Sequence, residues 1–140
     1  MRYLLDTNVI SEWTKPRPDP AVVAWLDKAD EETLYLSVLA FAEIRLGIEL
    51  LPEGRKRARI RAWLDDELAA RFDGRIIGIE RAIAETWAEV VARGRARGAT
   101  PPILNGFLTA TALVHQMTLV TRNERDLAVL DVPIVNPWRA

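Results

Sequence analysis

Short apolar runs alternate along this chain with longer amphipathic stretches. The short runs, bounded by turn-forming residues, predict buried strands at Met1–Leu5, Leu34–Ser37, Arg75–Ile79, Met117–Val120 and Ile134–Val135. Apolar residues three and four positions apart predict helices with one buried face at Val9–Trp13, Pro20–Lys28, Val38–Leu51, Gly54–Phe72, Glu80–Arg97 and Asn105–His115. Strands that alternate with helices favour parallel β-α-β units. The predicted fold class is therefore α/β, a three-layer α/β/α sandwich around a short, mainly parallel sheet.

Composition narrows the picture further. The chain has 140 residues, which predicts a single domain over 1–140. The formal net charge is −1, so bulk charge predicts neither nucleic-acid nor membrane binding. With no cysteine, disulfides and zinc–thiolate sites are excluded. The N-terminus lacks the order of a signal peptide, and no segment approaches the ~20 apolar residues of a membrane helix. We expect a cytoplasmic protein that does not contact a membrane.

Four side chains that carry oxygen fall at or near the ends of predicted elements. Asp6 follows the first strand, Glu43 lies in the helix after the second, Asn105 begins a helix, and Asp126 follows the fourth strand. Ligands of open α/β sheets bind beyond the carboxyl ends of the strands. If the first and fourth strands are neighbours, Asp6 and Asp126 share one edge of the sheet. Glu43 interrupts an apolar stretch, so it either faces a cleft or carries a costly buried charge.

Converging carboxylates would repel each other and raise each other's pKa. A hard divalent cation removes that conflict, and Mg²⁺ prefers oxygen ligands together with several waters. The absence of cysteine and the single histidine argue against zinc or copper. For the segment of residues 6–8, a purely structural role is as well supported as metal binding, because Asp6 or Asn8 could cap the next helix.

Neighbouring polar residues have two interpretations each. Thr7, Asn8, Thr121 and Asn123 could orient ligands or water around a metal, although turn formation explains them too. Arg45 faces a different side of its helix from Glu43 and could bind substrate phosphate or a partner protein. A basic run over residues 55–61 could attract a phosphate backbone, but a solvated helix face balanced by nearby acids is favoured.

Three ordered blocks carry a family resemblance. They are Leu4–Glu12 (LLDTNVISE), Ser37–Ile48 (SVLAFAEIRLGI), and the stretch from Ala110-Thr111-Ala112 through Leu119–Asn123 to Asp126. Together they resemble the PIN-domain ribonucleases, and within these the VapC/FitB-like toxins of toxin–antitoxin systems. The resemblance implies a PIN-like domain, an RNA substrate, and an antitoxin protein that occludes the site. It also implies an endoribonuclease site dependent on Mg²⁺ or Mn²⁺, with Asp6, Glu43, Asp126 and the position of Asn105 as catalytic and metal-binding residues.

One position departs from the family pattern. The family has aspartate where this chain has Asn105, whose neutral oxygen supplies no charge and whose favoured role is to cap the helix that follows. This is consistent with either natural divergence or an inactivating substitution. We therefore expect an endoribonuclease toxin that is impaired at this position. The alternative is a non-catalytic PIN-like module that binds protein or RNA.

The apolar content of two predicted helices exceeds what a short sheet can bury. These helices, Val38–Leu51 and Gly54–Phe72, are expected to contribute to a homodimer and to the contact with the antitoxin, because unmatched apolar patches mark interfaces.

Overall fold

A five-stranded sheet forms the centre of the computed structural model, which describes residues 1–139. Its strands are β1 (Tyr3–Leu5), β2 (Leu34–Ser37), β3 (Ile76–Ile77), β4 (Thr118–Val120) and β5 (Ile134–Val135). They lie in the order β3-β2-β1-β4-β5, and every neighbouring pair is parallel. In the register, Leu4 lies between Tyr35 and Leu119. The predicted α/β class is confirmed, and the first and fourth strands are neighbours, which is the condition set for Asp6 and Asp126 to share one edge.

Helices connect the strands and lie on both sides of the sheet. They are α1 (Thr7–Ile10), continued by a 3₁₀ turn (Ser11–Thr14), α2 (Pro20–Lys28), α3 (Val38–Leu50), α4 (Arg55–Ala62), a π-helical turn (Trp63–Leu68) leading into α5 (Ala69–Arg71), α6 (Arg81–Ala96), α7 (Ile103–Val114) and α8 (Glu124–Ala128). A second 3₁₀ turn, Glu31–Thr33, precedes β2. Within residues 1–139, no helix has the length and apolar character needed to span a membrane.

Alternation along the strands builds two separate cores. Leu5, Leu36 and Val120 point into a core shared with α1 to α4 and the π-helical turn. Leu4 and Leu119 point to the other face and pack with residues of α6, α7 and α8. Because successive side chains of a strand point to opposite faces, each short strand serves both cores, which produces the three-layer sandwich.

Two helix starts differ from the sequence prediction. The helix predicted to begin at Asn105 begins at Ile103, with Pro102 at the N-cap and no side-chain cap. The predicted capping role of Asn105 is therefore wrong, and Asn105 is the third residue of α7. The first helix begins at Thr7 rather than Val9, because the Asp6 side chain caps it.

The five-residue α8 was not predicted, since Leu127 is its single buried residue and gives no periodic signal.

The chain order places a crevice at the carboxyl ends of β1 and β4. After β1 the chain builds β2 and β3 on one side, and it later adds β4 and β5 on the other side. Such a switch point is where open α/β sheets bind ligands. Asp6 follows β1 there, and its N–H donates to the Val120 carbonyl at 2.9 Å. Thr121 follows β4 directly.

Close packing of α6 against α7 gives a prediction about two glycines. A Cβ at Gly106 would lie 3.0 Å from Cδ1 and Nε1 of Trp87, whose ring is stacked on Phe107 with centroids 5.0 Å apart. Overpacking costs ~1–3 kcal/mol, against a gain of about 1 kcal/mol in helix propensity. We expect Gly106→Ala to lower the melting temperature by a few degrees.

The matched control for that substitution is Gly47→Ala in α3. A Cβ at Gly47 meets nothing within 4 Å, so only the propensity gain remains and the melting temperature should rise. Thermal and urea unfolding of both variants measure the effect. An equal stabilisation by the two alanines would contradict tight packing at Gly106.

Candidate functional site

Asp6 is a nearly buried carboxylate at the end of β1, with 6% of its surface exposed. The Thr7 N–H donates to its Oδ1 at 2.7 Å, and the Thr121 hydroxyl donates to its Oδ2 at 2.7 Å. Burial raises the pKa of Asp6 because it disfavours the charged form. The two hydrogen bonds oppose that rise without cancelling it, so the pKa lies above the usual 3.8.

Glu43 approaches Asp6 from the second turn of α3. The Thr7 hydroxyl donates to its Oε1 at 2.9 Å, so one threonine holds both acids. Burial raises the pKa of this half-buried carboxyl, the bond from Thr7 lowers it, and the negative charge of Asp6 raises it again. The net pKa lies above its usual value. The two carboxylates are therefore close enough to repel each other, which the sequence analysis expected of this pair.

The residues predicted to orient ligands or water surround this pair to different degrees. Thr7 and Thr121 bind the carboxylates directly. The Asn123 N–H donates to the Thr121 hydroxyl at 3.1 Å, so Asn123 acts one step further out. The Oδ1 atom of Asn8 is buried and has no hydrogen-bond partner among the described residues. It is therefore a free acceptor directly beside Thr7 in sequence.

The remaining predicted site residues are not joined to the pair. Asp126 is exposed on α8, and Asn105 is half-buried in the first turn of α7. The guanidinium of Arg45 forms an exposed ion pair with Asp65. Over residues 1–139, no group of three Asp, Glu or His side chains is arranged to hold a metal ion. The structure thus brings together Asp6 and Glu43, while the roles of Asn105, Asp126 and Arg45 stay predictions.

Glu12 is a buried acid whose importance the sequence analysis missed. Its Oε1 accepts the Asp19 N–H at 2.8 Å, and its carboxylate is ion-paired with Lys15. Burial acts to raise the pKa of Glu12, but Lys15, the Asp19 N–H and the charge of Arg122 hold it below its usual range. The residue fixes the proline-rich loop against the turn after α1. Polar residues surround Glu12 in the sequence, with Ser11 before it and Thr14 and Lys15 close behind, so no apolar run marked it as a buried acid.

A cleft of about 630 Å³ opens beside the pair, and Thr7 and Glu43 form part of its wall. We call it the α3–α4 cleft. Its apolar wall consists of Ile44, Ile48, Leu51, Ile60 and Trp63, and its basic residues are Lys15, Arg55, Lys56 and Arg59. The arrangement combines a pair of acids with an apolar surface and a cationic rim. It can therefore receive a partner that is apolar on one side and acidic on the other.

Known proteins resemble this chain over nearly its whole length. The model of the PIN domain family matches residues 3–132. Toxin FitB of Neisseria gonorrhoeae is 38% identical over 96% of this chain and 97% of that protein. VapC ribonuclease Y4jK of Sinorhizobium fredii is 35% identical over 96% of each. The crystal structure of FitAcB from Neisseria gonorrhoeae superposes with a TM-score of 0.93 at 37% identity, covering 99% of both chains.

The raised pKa of Asp6 predicts how stability depends on pH. The folded protein holds this proton more tightly than the unfolded chain does. The associated stability is therefore fully present below the unfolded pKa of 3.8 and is lost as pH rises through the folded pKa. Asp6→Asn removes the buried charge, so it should be more stable than the wild type at pH 7. Below pH ~3.8 the difference should shrink towards zero.

Urea unfolding between pH 3 and 8, in EDTA, measures this difference. Asp27→Asn is the control, because Asp27 is exposed on α2. A stability difference for Asp6→Asn that stays constant across the pH range would contradict the assigned pKa shift.

Proposed function

The chain belongs to the PIN domain family, and from this membership we propose that it is a metal-dependent endoribonuclease, the toxin of a toxin–antitoxin pair. The observation that carries the proposal is the pair of carboxylates, Asp6 and Glu43, held by Thr7 at the carboxyl end of β1. Relatives named as a toxin and as a VapC ribonuclease support the same reaction class.

The donor chemistry at the pair fits Mg²⁺ or Mn²⁺. The ligand atoms that the pair offers are carboxylate oxygens, from Asp6 and from Glu43. Burial raises both carboxyl pKa values, and the charge of Asp6 raises that of Glu43 further; a divalent cation would remove that penalty. Mg²⁺ is commonly held by one or two carboxylates with its remaining positions filled by water. Two acids are therefore sufficient for a weak site.

Each residue of the pair has a defined task in this proposal. Asp6 and Glu43 would hold the cation, which when bound would lower the pKa of a water and neutralise charge on the phosphate. Thr7 keeps the two carboxylates at a fixed separation, and Thr121 fixes Oδ2 of Asp6. Water attacks the phosphorus in line with the departing ribose oxygen, so no side-chain nucleophile is needed.

Asn105 weakens this site in the proposed scheme. The family resemblance places an aspartate at this position, and Asn105 lies in the first turn of α7. That turn carries no acidic residue, so the positive partial charge of the helix end remains uncompensated. A positive helix end disfavours a nearby cation. We therefore infer weak metal binding and slow RNA cleavage for the chain with Asn105.

Restoring the carboxylate should restore activity. Unit charges ~4 Å apart attract by about 4 kcal/mol at an effective dielectric of 20, and ~1.4 kcal/mol corresponds to tenfold. Asn105→Asp should therefore raise both Mg²⁺ affinity and the rate of RNA cleavage by at least about tenfold. Calorimetry with Mg²⁺ or Mn²⁺ and cleavage of a labelled RNA measure the two effects.

Two controls separate this effect from added charge alone. Gln116→Glu adds a carboxylate just beyond the other end of α7 and should change neither quantity. Asp6→Asn in the restored protein should abolish cleavage again. Equal cleavage with Asn105 and with aspartate would show that this position is not a ligand. Absence of cleavage in every variant, with RNA or partner binding intact, would favour the non-catalytic binding module.

The α3–α4 cleft is the surface that we propose for the antitoxin. Its apolar wall and basic rim suit an amphipathic segment with acidic side chains, and such a segment would cover Glu43. Nearby on α3, Leu46 and Leu50 are 59% and 77% exposed. These exposed leucines fit the self-association expected from the apolar content of this helix.

Gly47 allows a steric test of the cleft. It lies in the cleft wall, and an added Cβ meets nothing within 4 Å. Gly47→Phe should fold normally, fill the cleft and weaken binding of the cognate antitoxin at least tenfold. Gly47→Ala, which adds one methyl group, should bind as the wild type does. Titration calorimetry with each variant decides, and unchanged affinity for Gly47→Phe would move the contact elsewhere.

A further inference from the structure

A second pocket, of about 440 Å³, contains Arg122, Asn123 and Trp138 and shares no lining residue with the α3–α4 cleft. We propose that Arg122, held against Trp138, binds a phosphate of the RNA strand beside the scissile one and so positions the substrate over Asp6. This inference rests on the proposed nuclease function. It adds a substrate-binding residue that the sequence analysis did not single out.

The chain connects this pocket directly to the acidic pair. Arg122 follows Thr121, whose hydroxyl donates to Oδ2 of Asp6 at 2.7 Å. The N–H of Asn123, on the other side of Arg122, donates to the same hydroxyl at 3.1 Å. The residues on both sides of Arg122 therefore meet at the Thr121 hydroxyl, which is bonded to Asp6. A strand bound at Arg122 lies beside the pair rather than at a remote surface.

The Arg122 side chain is oriented but not neutralised. Its Cζ lies 5.2 Å from the ring centroid of Trp138, and this ring follows a turn in which the Trp138 N–H donates to Asn136 Oδ1 at 3.0 Å. Among the described residues, Arg122 takes part in no ion pair. Glu12, which feels its charge, is already bonded to Lys15 and to the Asp19 N–H. A stacked, unpaired guanidinium has the planar fork that recognises phosphate.

The surrounding residues favour a nucleotide over a simple anion. Arg125 also lines the pocket, and Arg139 is paired with Glu124 at 2.6 Å. With Asp126 as the other acid, the pocket lining carries three arginines against two carboxylates. Two asparagine amides and an aromatic ring accompany this positive charge. Single-stranded RNA is recognised by this combination of arginine, amide and aromatic groups.

Fluorescence anisotropy with a labelled single-stranded RNA of about twelve nucleotides, in EDTA, tests the proposal without cleavage. Arg122→Ala should weaken binding at least tenfold and lower the slope of log affinity against log salt by ~0.7, the value for one phosphate contact on a single strand. Arg122→Lys should keep the slope while binding several-fold more weakly, because it keeps the charge and loses the fork. Trp138→Phe should fall between Arg122→Lys and the wild type, because its ring stacks less strongly.

Arg2→Ala is the matched control. Arg2 also lies over an aromatic ring, that of Tyr35 at 5.8 Å, but it precedes β1, at the opposite end of the strand from Asp6. Its loss should therefore leave RNA binding unchanged. Equal effects of Arg2→Ala and Arg122→Ala, or no RNA binding by the wild type, would overturn the proposal. So would a loss of antitoxin binding in Arg122→Ala with unchanged RNA binding. If Arg122→Ala unfolds, the test rests on Arg122→Lys and Trp138→Phe, whose folding is checked by circular dichroism.

The binding measurement stays informative if the proposed nuclease function fails, because it requires no cleavage. In an active Asn105→Asp background, Arg122→Ala should raise KM at least tenfold with kcat nearly unchanged. RNA binding through Arg122 without cleavage by any variant would support the subsite and reject the nuclease. Cleavage with an unchanged KM in Arg122→Ala would support the nuclease and reject the subsite at Arg122.

Discussion

The bond between the Thr121 hydroxyl and the Asp6 carboxylate joins residues 115 positions apart and links the carboxyl ends of β1 and β4. Burying a carboxylate is costly unless it is hydrogen-bonded, and Asp6 is bonded from both sides. Its N–H extends the pairing of the two strands by one further bond to Val120. Thr7 then carries the arrangement to Glu43 on α3. The candidate site is thus assembled from the same bonds that tie α1 and α3 to the sheet.

Two acids that burial affects in the same direction end in opposite electrostatic states. Burial acts to raise the pKa of both Glu12 and Glu43. Glu12 meets an ammonium and a backbone N–H, which together lower its pKa below the usual value. Glu43 meets one neutral hydroxyl and a second carboxylate. The neighbouring groups, rather than burial, therefore distinguish the structural acid Glu12 from Glu43, which has no cation beside it. Raised carboxyl pKa values such as that of Glu43 are typical of functional sites.

The parts of the fold that depend on local periodicity were predictable from the sequence. Leu4 and Leu5 point to different cores because a strand alternates, and the apolar runs therefore indicated a sheet covered on both faces. The start of α7 was not predictable in this way. Ile103 and Leu104 are 65% and 37% exposed, so they add nothing to a buried stripe, and the fixed φ of Pro102 sets the helix start instead.

The positions of Asp126 and Thr121 in the fold explain the remaining difference between the predicted site and the observed one. Asp6 and Glu43 could be brought together in advance because each follows a strand of the sheet, and neighbouring strands share an edge. Asp126 follows β4 by six residues, and the short α8 that carries it exposes its side chain to solvent. Thr121, directly after β4, reaches the crevice instead. Glu43 lies equally far past β2, so this spacing is not what separates the two acids: α3 turns Glu43 towards Thr7, whereas α8 exposes Asp126.

A different pocket adjoins each carboxylate of the acidic pair, Asp6 and Glu43. The α3–α4 cleft includes Glu43 and Thr7, whereas the pocket of Arg122 adjoins Asp6 through Thr121. Under the proposed function, a partner in the cleft covers one carboxylate without touching the arginine that holds RNA. The antitoxin and the RNA then contact different residues. Substitutions in one of these contact surfaces can therefore leave the other unchanged. The shared elements are Asp6, Glu43 and the threonines between them, which both processes require in the same place.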